Sequence, residues 1–170
     1  VVQKGLDYSV LTAGAFDITI APLLNLYYSS FSETGAAPPR EEVRRALALV
    51  GFQHVHVSEG EIAFGKAGMA VTLDGIAKGY IVDQAVEVLR KLGATSVLVN
   101  AGGDMASTGE SLGGDPWRIG LQDPRVAGGS LGVLGLRGES VATSGDYVHY
   151  LTPDMNLHHI LDPRTGTSPE

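Results

Sequence analysis

The chain has no cysteine, which excludes disulfide frameworks, thiolate catalysis and cysteine-ligated zinc or iron–sulfur centres. It also lacks any run of lysine and arginine. With 12 basic against 19 acidic residues and a net charge of −7, it offers no counterion-release surface. That balance argues against nucleic acid and anionic membrane as general partners, although a local phosphate site is compatible with it. No stretch approaches the ~20 apolar residues of a membrane span, and no signal-peptide pattern opens the chain. Internal repeats and low-complexity tracts are absent too. What is present is 170 residues, 44% of them apolar, with 23 glycines. That is one domain's worth of chain, long enough for a core and rich in turns rather than long helices.

The polar chemistry concentrates near the end. His158, His159, Asp162, Arg164 and Thr165 fall within eight residues, with Pro163 and Gly166 shaping the backbone between them. Alternation through Leu157, His159 and Leu161 predicts a short strand broken at Pro163, which cannot donate to a ladder. His158 and Ile160 would share one face of it, His159 and Leu161 the other. Taken alone, the stretch is better explained by an Asp-Pro turn capped by Thr165 than by a site. A second polar turn lies just upstream, Thr143-Ser144-Gly145-Asp146-Tyr147. Between the two, Val148, Tyr150 and Thr152 alternate with His149 and Leu151, and Pro153-Asp154 supplies a reversal. The whole reads as a hairpin with a polar cluster at each mouth.

Upstream, helical spacing over 1–12 is faint. Gly14-Ala15-Phe16-Asp17 follows as a turn, with Asp17 placed to cap a helix starting near Ile18, Pro22 in its first turn, and Leu23, Leu24 and Tyr27 further along. Residues 29–39 read as a loop. A helix is predicted over 40–50, with Val43, Leu47 and Val50 inward and Gly51 as the stop. His54 and His56 are expected on one face of the next strand, solvated rather than ligating. Ile62-Ala63-Phe64 makes a small meander that ends in a strand over 70–73. Asp74 and Gly75 then turn the chain into a helix over 76–92, whose expected core stripe is Ile81, Ala85, Val88, Leu89 and Leu92. Lys78 in the first turn opposes the macrodipole, which makes sense if an anion docks on the exposed amides. Val97-Leu98-Val99 reads as a buried strand, and Asn100-Ala101-Gly102-Gly103-Asp104 turns away from its end. The two glycines suit close approach by a flat ring or a pyrophosphate, and tight-turn chemistry explains them nearly as well. Residues 105–109 and 117–121 are expected to pair as antiparallel strands, with a further strand over 131–136. The fold class predicted is α+β, an antiparallel sheet of short strands packed by the helices near 40–50 and 75–92.

Six stretches in one order resemble the ApbE-type FAD:protein FMN transferases. They are Gly14 to Thr19 with Pro22-Leu23, Gly75 to Asp83, Asn100 to Asp104, Pro116-Trp117, Thr143 to Tyr147 and His158 to Gly166. No one of them would suffice. The resemblance implies a T-fold-like architecture and transfer of FMN from FAD to a Ser/Thr hydroxyl of an acceptor flavoprotein, with AMP released and Mg²⁺ required. It places Ala15, Phe16, Asp17, Thr72, Lys78, Asn100, Gly102, Gly103, Asp104, Thr143, Ser144, Gly145, Asp146 and Ile160 on the FAD. His159 is the candidate base, with Asp162 beside it, and the Gly75 backbone carbonyl is the candidate Mg²⁺ ligand. Arg164 is a second candidate cation for the phosphates. One stretch departs from the family's commoner Asp-Leu-Gly-Gly-Ile-Ala-Lys-Gly-Tyr: Thr72 stands where an acid is expected, and Asp74 carries a carboxylate two residues on.

The family's Ala-Asp-x-x-x-Thr helix, which supplies Mg²⁺ side chains, and its N-terminal flavin-contacting segment do not occur in these 170 residues. The expectation is therefore a single, incomplete transferase domain over 1–170. Two alternatives stand beside transfer. One is hydrolysis of FAD to FMN and AMP, where water replaces the acceptor hydroxyl. The other is a catalytically silent flavin-binding protein. Family habit suggests the bacterial cell envelope or periplasm.

Overall fold

The computed structural model describes residues 1–145, 147, 150–152, 154 and 156–169. Two compact units divide the chain, one of Val1–Gly75 with Gly145–Glu170 and one of Ile76–Ser144.

The first unit opens with helix α1, Val2–Leu11. Gly5 sits in it because a Cβ there would lie 2.7 Å from the Ile18 Cγ2 methyl. Leu6 and Ile18 join Val55 and Met69 in one buried cluster, with Phe16, Phe52 and Val71 packed against it. The predicted cap at Asp17 is in place, but it caps a 3₁₀ turn over Ile18–Ile20. Helix α2, Ala21–Thr34, follows with Pro22 in its first turn and ends at Gly35, φ +69°. The expected loop over 29–39 is thus helical to Thr34. Its serines suggest a loop, yet Phe31 packs on the Leu23–Tyr27–Ala46–Leu161 cluster and holds this last turn of α2 down.

Helix α3 runs Arg40–Leu47, with Glu41 and Glu42 in its first turn. Val43, Leu47 and Val50 all face the second cluster, as their spacing predicts. A 3₁₀ turn over Phe52–His54 precedes strand β1, Val55–Ser58, which pairs antiparallel with β2, Glu61–Phe64. His54 therefore lies in the turn and His56 on the strand, and the two share no strand face. The turn forms there because Phe52 packs into the core while its N–H is held by Asp17. Residues 70–73 form no ladder; Thr72 donates instead from its backbone N–H to the Ile18 carbonyl at 2.8 Å.

The hairpin expected near the end is present only in outline. One antiparallel bridge joins Tyr150 to His158, and Leu151 donates to the Leu157 carbonyl at 2.7 Å. Side chains take donors that a ladder would use: Asp154 Oδ1 accepts from Asn156 N–H and Thr152 Oγ1 from Leu157 N–H, both at 3.1 Å. The predicted face pairing over 157–161 fails with the strand, for His158 and Leu161 are the buried residues and His159 and Ile160 are half-buried.

In the second unit, helix α4, Ala77–Lys91, packs on a three-stranded antiparallel sheet. Its strands are β3, Val97–Ala101, β4, Asp104–Thr108, and β7, Ser140–Val141, in the order β3-β4-β7. Strands β5, Trp117–Gln122, and β6, Ser130–Leu136, make a separate antiparallel pair, so β4 and β5 are not partners. The buried face of α4 is Val82 and Val86 at 1% and 8% exposure, over Ala106, whereas Ile81, Val88 and Leu92 stand 54–79% exposed. The expected stripe is one residue out of phase. Helical spacing finds both faces apolar, and β4 meets the valines because small Ala106 leaves room for them. The mixture of helices with antiparallel sheets is the α+β class predicted.

Candidate functional site

The first turn to consider is residues 13–19. Ala13 and Gly14 take positive φ of 51° and 81°, which lets the chain double back after α1. Thr12 Oγ1 then accepts from the Phe16 N–H at 3.0 Å. Asp17 is 6% exposed. Its Oδ1 accepts from the Thr19 N–H at 2.8 Å and the Thr19 hydroxyl at 2.7 Å, and its Oδ2 from the Phe52 N–H at 3.0 Å. Thr19, fully buried, accepts in turn from the Gly51 N–H at 2.7 Å. A carboxylate so placed is held by the protein itself. Ala15, by contrast, is exposed.

Phe16 is half-buried and meets Tyr8 edge to face, with centroids 6.4 Å apart. Its ring also covers Gly75, where a Cβ would come within 3.0 Å of Phe16 Cε2. Two motifs 59 residues apart (75 − 16) therefore meet, and glycine at 75 is explained by that contact. Thr72 Oγ1 accepts from the Asp74 N–H at 3.2 Å, a local hydroxyl turn at the position where the family carries an acid. Asp74 faces Tyr28 on α2, and burial followed by the Asp74 charge raises the Tyr28 hydroxyl above its usual range. Tyr28 is a residue sequence reasoning passes over. An exposed tyrosine directly after the buried Tyr27 is the only signal it leaves.

The turn at 162–167 is seated from below. The Tyr27 hydroxyl donates to the Gly166 carbonyl at 2.8 Å, and a Cβ on Gly166 would press on Leu47 and Val43 at 2.8 and 2.9 Å. The Asp162 carboxylate receives the Arg164 fork, Nε at 2.9 Å and Nη2 at 2.6 Å, together with the Arg164 N–H at 2.9 Å. Those bonds hold the Asp162 carboxyl down to about 2. Arg164 thus presents its fork to Asp162. His159 and Ile160 are half-buried beside this turn in sequence. Gly145 packs against the Tyr147 ring, while Asp146 lies outside the described residues.

In the second unit Lys78, at the start of α4, pairs with Asp104 at the start of β4, Nζ to Oδ2 at 3.4 Å. The pair brings two predicted motifs together and offsets the cation's clash with the helix dipole. Asn100 Oδ1 accepts from the Gly103 N–H at 2.9 Å, and Gly102 and Gly103 take φ of +67° and +102°. That is the two-residue hairpin turn that needs positive φ at both central positions. A Cβ at either glycine would meet nothing within 4 Å, so the turn stands beside open space. Thr143 and Ser144 are exposed after β7.

Among the described residues no group of three or more His, Asp or Glu side chains gathers to hold a metal. The Asp162 carboxylate is already taken up by Arg164. Mg²⁺ wants several hard oxygens in octahedral array, and the described residues do not fit it. No helix among them is long and apolar enough to cross a membrane.

Helices packed with antiparallel sheets, and polar side chains gathered on the turns between them, define an α+β protein. More particularly, the chain belongs to the ApbE family, whose family model matches residues 1–170. It is 32% identical over 169 residues to a FAD:protein FMN transferase of Vibrio cholerae, covering 98% of this chain and 51% of that protein. A Klebsiella pneumoniae FAD:protein FMN transferase is 36% identical over 169 residues, covering 97% and 51%. The crystal structure of the Thermotoga maritima ApbE protein superposes with a TM-score of 0.88 at 36% identity, covering 99% of this chain and 56% of that one. The Pseudomonas stutzeri flavinyl transferase ApbE, in its apo form, gives 0.83 at 36%, covering 99% and 52%. The chain spans about half the length of the curated relatives it matches.

Proposed function

We propose that this chain carries much of the site of an enzyme that moves FMN from FAD to a Ser/Thr hydroxyl of an acceptor protein. The observation that carries the reading is the match over nearly the whole chain to two FAD:protein FMN transferases. In the reaction the acceptor oxygen attacks the phosphorus on the riboflavin side of the pyrophosphate. The new P–O bond joins FMN to the protein, the bond to the bridging oxygen breaks, and AMP leaves with that oxygen. Positioning and charge neutralisation do most of the work in such transfers. Lys78 and the amides at the start of α4 hold the pyrophosphate. By the family resemblance, the turn at 14–17, through its backbone and the Phe16 ring, and the turn at 100–104, with Thr72, Thr143, Ser144, Gly145, Asp146 and Ile160, are the segments assigned to the rest of FAD. His159 takes the acceptor's proton, a task suited to imidazole near neutral pH. Asp162 orients that turn.

Mg²⁺ enters the proposal from the family resemblance alone, which names the Gly75 carbonyl as one ligand. The bacterial cell envelope as the place of reaction has the same basis.

A second reading, FAD binding without catalysis, is favoured by the absence of a metal cluster among the described residues. Incubation with FAD, Mg²⁺ and a hydroxyl-bearing acceptor protein separates the readings. Transfer adds the mass of FMN to the acceptor and releases equimolar AMP, and His159→Ala abolishes both. Free FMN with AMP and no adduct identifies a hydrolase. FAD binding without AMP leaves a flavin-binding protein.

A further inference from the structure

We propose that the side chains of Asp17 and Thr19 are positioning groups, holding Phe16 and the turn at 72–75 in one arrangement for FAD without contacting it. The inference rests on the flavin reading above and assigns these two side chains a different task within it.

Four observations converge on one hub. Asp17 is 6% exposed and Thr19 0% exposed, so neither offers its polar atoms to a ligand. The Asp17 carboxylate is already met by three donors, two from Thr19 and one from the Phe52 N–H. Thr19 passes its own donor to Asp17 and accepts the Gly51 N–H, at 2.7 Å in each case. Between these residues, the Ile18 carbonyl accepts the Thr72 N–H at 2.8 Å. The hub thus joins three segments distant in sequence, residues 16–19, 51–52 and 72. Phe16 leaves the hub on one side and lies over Gly75, while Thr72 leaves it on the other and caps Asp74. Buried, fully satisfied polar networks fix one geometry because any shift leaves a donor or acceptor unpaired. An Asp17 carboxylate that bound FAD directly would have to abandon an amide to do so.

The test uses three variants of the whole chain. Thr19→Val keeps the shape and removes both hydroxyl bonds; Thr19→Ser keeps the hydroxyl and removes a methyl. Asp17→Asn sets an amide NH₂ against the Phe52 or Thr19 donor. Amide hydrogen exchange without ligand reads the hub, and titration of FAD by flavin fluorescence reads the consequence, each well below the melting temperature. We expect Thr72 and Gly51 amides to exchange faster in Thr19→Val and Asp17→Asn. FAD affinity should fall by about tenfold or more in both, as misplacement of a site does, with Thr19→Ser close to wild type in both readouts. Unchanged Thr72 exchange in Thr19→Val overturns the proposal. So does faster exchange with undiminished FAD affinity, and so does Thr19→Ser losing as much as Thr19→Val. If the wild-type chain binds no FAD, the flavin reading fails, and the exchange arm distinguishes that result from failure of the hub.

Discussion

The Tyr27 hydroxyl donates to the Gly166 carbonyl at 2.8 Å, across 139 residues of sequence. It fixes the turn carrying Asp162 and Arg164 onto α2, in the same place where Val43 and Leu47 of α3 leave no room for a side chain at 166. Tyr27→Phe removes the donor and should cost about 1–2 kcal/mol. Gly166→Ala adds a methyl against Leu47 and Val43 at φ +78° and should cost more, at least about 2 kcal/mol. Urea unfolding of both variants checks the order, and the reverse order would mean that the turn relaxes freely.

The Asp162 carboxyl, held at about 2 by the Arg164 fork and N–H, sets a pH window. A carboxyl depressed in the folded state stabilises it above the ordinary unfolded value near ~3.9. That contribution fades as pH falls from about 4 through about 2. Carbon-detected NMR titration should show Asp162 titrating near the bottom of the carboxylate range in wild type and near the ordinary value in Arg164→Gln. The stability difference between the two proteins should be largest above pH ~4 and vanish under strong acid. A constant difference across that range would mean Arg164 acts through packing.

Much of the architecture was legible from turn chemistry. Asp17 before a helical turn and Gly102-Gly103 between strands declare backbone requirements that the fold keeps, whereas the helix expected to run to Val50 and stop at Gly51 already ends at Leu47, capped at Ala48. Side-chain facing was less legible. Helix α4 offers two apolar stripes, and the sheet residues across the interface, Ala106 with Val97, Val99 and Ala101, take Val82 rather than Ile81. Strand β5 has a neighbour in sequence on either side, β4 and β6, and the local pattern does not decide that it pairs with β6. The sequence marks Asp17 as polar beside a motif but cannot show that Thr19 and Phe52 take up its oxygens, for those bonds close only in three dimensions.

Lys78 separates binding from stability. Its pair with Asp104 is 57% exposed on the lysine side, and such pairs contribute at most about 1 kcal/mol. Lys78→Gln should therefore barely change unfolding, yet weaken FAD binding by about tenfold, or about 1.4 kcal/mol. The remaining affinity should depend less on salt, since a phosphate contact has been removed. Calorimetric titration at low and high salt reads both effects. An unchanged affinity would remove Lys78 from the pyrophosphate site.

The turn at Gly102 and Gly103 invites a similar comparison. Alanine at either position meets no atom within 4 Å, so the penalty is backbone strain alone, about 1–2 kcal/mol. If a flavin or pyrophosphate lies against this turn, the added methyl should weaken FAD binding by far more than the loss of stability explains. Equal binding after correction for folding would leave the glycines with a hairpin role only.

The two adjacent histidines should differ in kind. His158 is 5% exposed, and its Nδ1 is buried with no hydrogen-bond partner among the described residues. Its backbone is anchored instead: the Ser168 hydroxyl accepts the His158 N–H and donates to the His158 carbonyl, each at 3.0 Å. An unpaired buried nitrogen destabilises a fold, and an apolar side chain of similar size relieves it. His158→Leu should therefore change stability by less than about 1 kcal/mol or raise it, while transfer of FMN survives. His159 is half-buried and carries the proton in the proposed reaction, so His159→Leu should abolish adduct and AMP while FAD still binds. Thermal unfolding together with acceptor mass spectrometry distinguishes the two. Loss of transfer in His158→Leu with a retained fold, and survival of it in His159→Leu, would move the base from one imidazole to the other.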